Sequence, residues 1–152
     1  MEIQNFSHCH INGKIASTNS NVQWKFTGFY GHPEAAKRHE AWDLLRLLGR
    51  FQPTPWICIE DFNEVVGTDE KMGGCGRSKS QIKKFQSILT DCDLADLGFR
   101  GPKYTWSNCQ EGQALIKERI DRGVANLAWC DLFPDAEVWV DSHGIRTMLC
   151  LF

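Results

Sequence analysis

The sequence lacks several features that would place it in a specialised class of protein. No apolar run approaches the ~20 residues that a membrane-spanning helix needs, and no internal repeat or low-complexity linker interrupts the chain. The first ten residues, MEIQNFSHCH, contain neither the basic nor the apolar region of a secretory leader. We therefore expect an intracellular protein, nuclear or cytoplasmic, with no membrane partner.

The cysteines also lack the arrangement that metal sites and disulfide frameworks use. Seven cysteines stand singly along the chain, and no CxxC pair occurs. Structural zinc sites commonly take such pairs, so the sequence gives no support for one. An odd number of cysteines in a chain without a leader favours reduced thiols, and no disulfide-linked partner is expected.

The chain has no large excess of charge of either sign. It carries 17 basic and 19 acidic residues, for a formal net charge of −2. This balance argues against a polyanion binder held by bulk charge, although it allows a local basic patch. With 152 residues, 42% of them hydrophobic, the chain has enough apolar material for one core. We therefore expect a single domain over residues 1–152.

The hydrophobic periodicity predicts strands mixed with helices. The N-terminal third has extended patterns, with Asn12 and Gly13 as a hairpin turn signal between two short strands. Helices are predicted from Pro33 to Leu48 and over about 80–90. Later segments predict two more strands and a short helix: YTWSN, ERIDRGVA and NLAWCDLF. This mixture indicates an α/β or α+β sandwich.

The segment PWICIEDFNE joins an apolar strand to a polar end. Asp61 and Asn63 follow the apolar run Trp56–Ile59, which is a usual place for ligand groups in α/β folds. In an extended segment these two side chains share a face and can converge on one ligand, whereas Phe62 points into the packing. A carboxylate paired with an amide can hold or deprotonate a water molecule. The alternative is a polar turn, since Asp and Asn are common turn residues.

Three other groups allow both a functional and a structural interpretation. His8 and His10 are expected to share one strand face and could hold a metal ion, but two ligands make no site, and exposed or hydrogen-bonded strand residues are favoured. The run RSKSQIKK, with Arg77 and Lys79, could contact phosphates or form a solvated helix face. The segment GGCG lacks the lysine-serine ending of a phosphate-binding loop and is interpreted as a flexible loop.

Five segments taken together resemble a known family. They are TGFYGHPE at 27–34, PWICIEDFNEV at 55–65, EKMGG at 70–74, DLGFRGPKYTWSN at 96–108 and KERIDR at 117–122. In this order and spacing they resemble the endonuclease/exonuclease/phosphatase superfamily, specifically the apurinic-endonuclease-like domain of plant non-LTR (LINE-type) retrotransposons. The resemblance covers about residues 1–143.

The resemblance implies a four-layer α/β sandwich with a metal site between the open edges of two sheets. The expected fold is therefore α/β and part of that sandwich, with the N-terminal strands of the first sheet missing. The implied activity is hydrolysis of phosphodiester bonds with Mg²⁺ or Mn²⁺, as in a DNA-nicking endonuclease of the retrotransposon type. The chain is either an independent gene product or a piece of a longer polyprotein with reverse transcriptase. The segments TGFYG and TWSN favour this branch over a phosphatase acting on a small ligand. The alternative is a truncated, catalytically silent remnant that binds nucleic acid weakly through Arg77, Lys79 and Lys83.

The resemblance also implies roles for individual side chains. Asp61 and Asn63 match the pair that handles a proton and orients the attacking water. Tyr30 matches a tyrosine that contacts the scissile phosphate, and Asp121 matches an acid that orients the catalytic histidine. Trp106 matches an aromatic residue near the substrate groove, although a core tryptophan is an equally good interpretation.

Three departures from the family pattern bear on activity. Glu60 stands where the family has the glycine of GDFN, and it adds negative charge beside Asp61. The chain reads Asp141-Ser142-His143 where the family has an SDH motif. His143 is either the catalytic histidine in a shifted register or a residue near a lost motif, and Asp141 is the candidate metal ligand. The family's principal metal-binding glutamate lies in an N-terminal portion that matches no motif of this chain.

Overall fold

The structure is a computed structural model that describes residues 1–16, 22–50, 54–141 and 147–150. The helices are α1 (Arg38–Gly49), α2 (Lys79–Asp91) and α3 (Leu127–Leu132). The strands are β1 (Glu2–Ser7), β2 (His10–Ala16), β3 (Gln23–Phe29), β4 (Trp56–Asp61), β5 (Lys71–Met72), β6 (Ala95–Asp96), β7 (Trp106–Ser107), β8 (Lys117–Glu118), β9 (Asp121–Ala125), β10 (Glu137–Val140) and β11 (Thr147–Cys150).

A sheet of six strands organises the described part of the chain. Its order is β1-β2-β3-β4-β9-β6, and β3 and β4 are parallel whereas the other neighbours are antiparallel. Helix α1 connects β3 to β4, as a parallel pair requires a crossover. The strands β5, β8 and β7 form a small separate sheet, and β10 pairs with β11.

The two faces of the central sheet bury different sets of side chains. On one face, α1 and α2 pack over Trp56, Cys58 and Val124, which are fully buried. On the other face, Trp129 of α3 packs against the strands. A Cβ atom at Gly123 of β9 would lie 2.8 Å from Val138 Cγ2, so β10 also packs on this second face. The apolar run of β4 is buried on both sides, as its composition predicts.

The predicted position of the first hairpin turn is wrong. Asn12 and Gly13 lie inside β2, and the turn falls at His8 and Cys9. Asn12 is buried and its Oδ1 accepts a hydrogen bond of 3.0 Å from the Thr27 hydroxyl. Gly13 allows β1 and β2 to approach closely, since a Cβ atom there would lie 3.0 Å from the backbone oxygen of Glu2. The expectation that His8 and His10 share one strand face fails for the same reason.

Other element boundaries differ from the sequence-based predictions in detail. The first α-helix begins at Arg38 rather than at Pro33, because 35–37 form a turn of 3-10 helix. The Arg38 guanidinium donates to the carbonyl oxygens of His32 and Pro33, which fixes the chain before the helix. The predicted end of this helix near Leu48 and the predicted helix at 80–90 are confirmed.

The predicted later strands are shorter than their sequence patterns. YTWSN contributes two strand residues, and ERIDRGVA divides into the end of β8 and β9. The short helix in NLAWCDLF is confirmed, and its first turn is capped by Asn126, whose side chain accepts from the Trp129 N–H. The apolar segment at 147–150 forms a strand against β10. The prediction of a mixed α/β fold is confirmed, and the absence of N-terminal strands stays a prediction. Among the described residues, no helix has both the length and the apolar character to cross a membrane.

Candidate active site at the end of the fourth strand

Asp61 and Asn63 meet at the carboxyl end of β4. The Asn63 backbone N–H donates to Asp61 Oδ1 at 2.7 Å, and Asn63 Nδ2 donates to Asp61 Oδ2 at 3.1 Å. Asn63 has a φ of 53°, so the left-handed backbone, and not strand alternation, brings the two side chains together. Phe62 is fully buried between Phe29 and Phe85, as the sequence predicts.

Gly31 brings Tyr30 beside this strand end. The Gly31 N–H donates to the Asp61 carbonyl oxygen at 2.6 Å, and Asn63 Nδ2 donates to the Gly31 carbonyl oxygen at 2.7 Å. A Cβ atom at Gly31 would lie 2.1 Å from the Phe62 carbonyl oxygen, so only glycine fits here. Tyr30 is 48% exposed and can therefore reach a ligand above Asp61.

Three acidic residues form what we call the carboxylate cluster: Glu60, Asp61 and Asp121. Asp61 and Asp121 are cross-strand partners in the register of β4 and β9. Asp121 is 4% exposed, and its Oδ2 is buried without a hydrogen-bond partner among the described residues. Glu60 has a φ of 106°, a backbone conformation that favours glycine.

Burial raises the pKa values of the carboxylate cluster. Burial raises the pKa of Asp61 to about 6. The hydrogen bond from the Asn63 N–H lowers this pKa, and the negative charge of Asp121 raises it further. Burial also raises the pKa of Asp121, with the Thr105 hydroxyl opposing it. Partial burial and the charge of Asp121 raise the pKa of Glu60. A carboxyl group with a pKa of about 6, as Asp61 has, is suited to proton transfer near neutral pH.

A second group of charges lies beneath this strand end, and the sequence analysis did not identify it. We call it the ion-pair network, made of Glu70, Asp96, Arg119 and Arg122. Arg122 is fully buried and donates to Glu70 Oε2 at 2.7 Å and to Asp96 Oδ2 at 2.6 Å. Arg119 donates to the other oxygens of the same two carboxylates at 2.7 and 2.9 Å. The two arginines of KERIDR were the only sign of this network in the sequence. Their acidic partners, Glu70 and Asp96, are too far away in sequence to be recognised.

Another buried ion pair joins α1 to the loop after β4. Arg38 Nη1 lies 2.6 Å from Glu64 Oε2, and both side chains are nearly inaccessible to solvent. Glu64 is the last residue of the PWICIEDFNE segment, where the sequence showed it only as a further acid. The pair fixes the backbone just beyond Asn63.

The predicted substrate-binding residues lie in different environments. Trp106 packs half-buried against the cluster of Val65, Ile82 and Ile120, which agrees with a core role. Arg77 is bound to Glu118 at 2.6 Å, so its charge is already compensated. Lys79 is exposed at the start of α2.

The structure brings no metal site together from the residues it describes. Asp141 is exposed, and His143 lies outside the described residues. Within 1–16, 22–50 and 54–141, no three His, Cys, Asp or Glu side chains are arranged to hold a metal ion. The predicted roles of Asp141 and His143 therefore stay predictions.

Comparison with solved structures identifies a similar fold. The chain is similar to the endonuclease domain of TRAS1, a telomere-specific non-LTR retrotransposon, with a TM-score of 0.71 and 14% sequence identity. The match covers 94% of this chain and 63% of that chain, so the present chain spans less than two thirds of that domain. No family model matches the sequence, and no curated protein does. At this identity the likeness shows the fold, and it agrees with the fold that the sequence resemblance implied.

Proposed function

We propose that the chain is a nuclease that hydrolyses phosphodiester bonds in DNA, as a nicking endonuclease of the retrotransposon type. The observation that carries this proposal is the contact of Asp61 with Asn63 beside the unpaired, buried oxygen of Asp121. The site lies at a strand end beneath the exposed Tyr30. The fold shared with a retrotransposon endonuclease domain supports the same activity.

Each side chain of the site has a different proposed role in hydrolysis. Asp61, with a pKa of about 6, accepts a proton from the attacking water or passes one to the leaving oxygen near neutral pH. Asn63 uses its Nδ2 to bind Asp61 and Gly31, which leaves its Oδ1 to orient the water. Tyr30 contacts the phosphate from the exposed side.

Asp121 acts through a partner rather than on the substrate. Burying a carboxylate oxygen without a hydrogen-bond donor costs free energy. Asp121 Oδ2 is therefore able to accept a hydrogen bond from a further group at the site. We propose, as the resemblance implies, that Asp121 orients the catalytic histidine, for which His143 is the candidate.

Mg²⁺ or Mn²⁺ is the cofactor that the resemblance implies. The described residues do not fit such an ion by themselves, because no three ligands converge and both Asp61 oxygens accept hydrogen bonds from Asn63. The proposed proton transfer therefore depends on the side chains alone. The lack of a three-ligand set among these residues favours a second candidate, a catalytically silent domain that binds DNA weakly through exposed lysines such as Lys79 and Lys83.

Nicking of supercoiled plasmid distinguishes the two candidates. We expect purified protein to nick plasmid, and parallel reactions in Mg²⁺ and in EDTA measure whether the activity needs the metal ion. Asp61→Ala should lower the nicking rate by a factor of about 10² to 10⁴, the usual contribution of a proton-transfer group. Asp135→Ala removes an exposed acid beyond α3 and is the matched control. Folded protein that shows no nicking, or nicking that Asp61→Ala leaves unchanged, would reject the proposed hydrolysis.

A further inference from the structure

A groove of about 470 Å³ opens beside the candidate site. Its lining includes His8 and Cys9 from the first hairpin turn, Tyr30 from the end of β3, and Glu60 and Asp61 from β4. The hairpin turn therefore belongs to the surroundings of the site, although Cys9 and Glu60 are 51 residues apart in sequence. The sequence analysis did not connect the two.

Hydrogen bonds hold the turn that carries His8 in one conformation. The Ser7 hydroxyl accepts from the Cys9 N–H at 3.2 Å and lies 2.8 Å from His10 Nδ1. His10 Nε2 lies 2.8 Å from Asn5 Oδ1, so both ring nitrogens of His10 have partners. His8 is exposed and makes no side-chain hydrogen bond within the described residues. Of the two imidazoles, His8 is the one that can bind a ligand.

The same turn is attached to the residue that faces the predicted phosphate. The Tyr30 N–H donates to the Cys9 carbonyl oxygen at 2.8 Å. Burial, and secondarily the charge of His8, lower the pKa of His10, which disfavours the cationic form of this second imidazole. His8 is thus placed next to Tyr30 at the edge of the groove on a fixed backbone.

A phosphodiester in this groove needs hydrogen-bond donors that offset its acids. Glu60 and Asp61 line the groove, and Asp121 lies behind Asp61, so the local acids repel a phosphodiester. The nearby guanidinium groups of Arg38 and Arg77 are compensated by Glu64 and Glu118. His8 lines the groove, is exposed and makes no side-chain hydrogen bond within the described residues, so its ring N–H is available to a phosphate oxygen.

We propose that His8 is a further phosphate-binding residue of the site, whose imidazole N–H donates a hydrogen bond to a DNA phosphodiester next to Tyr30. This inference rests on the proposed function only in taking DNA as the ligand of the groove. It adds a contact from the hairpin turn to the site at the end of β4. It also predicts that the affinity for DNA depends on this one histidine.

Binding of a short fluorescein-labelled DNA duplex, followed by anisotropy in EDTA, tests this contact without cleavage. Wild type should bind about threefold to tenfold more tightly than His8→Ala, because the variant loses one donor to the phosphate. Glu60, Asp61 and Asp121 are present in both proteins, so the difference between them reports on His8.

Two further variants fix the interpretation. His8→Lys places a positively charged donor at the same position and should bind at least as tightly as wild type. His39→Ala removes an exposed histidine from α1 and should behave as wild type. Equal binding by wild type and His8→Ala would overturn the proposal, as would wild-type protein that does not bind the duplex. A persistent His8 effect in protein that never nicks plasmid would keep this contact and reject the proposed hydrolysis.

Discussion

The ion-pair network and the carboxylate cluster meet on one strand and differ in how their charges are compensated. Arg122 and Asp121 are consecutive residues of β9, so their side chains project to opposite faces of the sheet. Burial would raise the pKa of Asp96, but hydrogen bonds from Arg119 and the charge of Arg122 lower it. Burial raises the pKa of Asp61 and of Asp121, and among the described residues neither carboxylate accepts a hydrogen bond from an arginine. Similar burial therefore produces a structural charge in one place and a reactive one in the other.

Removing Arg122 should produce the largest loss of stability. Arg122→Met leaves the buried Glu70 and the partly buried Asp96 with only Arg119 to compensate them. We expect the free energy of unfolding to fall by about 3–5 kcal/mol, the usual cost of breaking a buried ion pair. Urea denaturation measures this change.

An exposed ion pair provides the control for that experiment. Arg46 binds Asp91 at 2.8 Å, but both side chains are more than 40% exposed. Arg46→Met should therefore cost less than about 1 kcal/mol. If the two variants lose the same stability, burial of the ion-pair network does not account for its contribution.

Relieving the backbone strain at Glu60 should instead stabilise the protein, by a smaller amount than the loss expected for Arg122→Met. Glu60 has a φ of 106°, and strained backbone of this kind costs about 1–3 kcal/mol in a residue other than glycine. After the entropic cost of a glycine, Glu60→Gly should raise the free energy of unfolding by about 1 kcal/mol. Glu60→Ala removes the charge and keeps the Cβ atom, so it separates repulsion from strain. Equal stabilisation by both variants would show that repulsion within the carboxylate cluster, and not strain, is what Glu60 contributes.

The sequence predicts the parts of this fold that depend on local pattern. The apolar run of β4, the polar pair after it and the helix at 80–90 follow from periodicity and composition, and the structure places them as expected. The dipeptide Asn12-Gly13 misled because it also suits a strand that a neighbouring backbone approaches closely. The same two residues are therefore compatible with a hairpin turn and with a closely packed strand.

The ion-pair network could not be predicted in this way. Arg119 and Asp96 are 23 residues apart, and Arg122 and Glu70 are 52 residues apart. Such pairs exist only once the strands and the loop that carry them are assembled, so no local spacing indicates them. The same holds for the hairpin turn beside Tyr30, which the fold brings to the site through a backbone hydrogen bond.

The smallest predicted effect is the dependence of stability on the charge of Asp61. Because burial raises the pKa of Asp61 from 3.8 to about 6, the folded state binds the proton more tightly than the unfolded state. This stabilisation is complete below about pH 4 and is lost as the pH rises through about 6. Wild type should therefore lose on the order of 1 kcal/mol relative to Asp61→Asn over this interval, since the site is open to water.

Melting temperatures of wild type and Asp61→Asn between about pH 4 and pH 7 measure this difference. Asp135→Asn, at an exposed acid, should follow wild type at every pH. Titration of Glu60 and Asp121 occurs in both proteins and largely cancels in the difference. A difference that stays constant with pH would mean that Asp61 is compensated as fully as Asp96. The contrast between the two charge clusters would then no longer identify the reactive one.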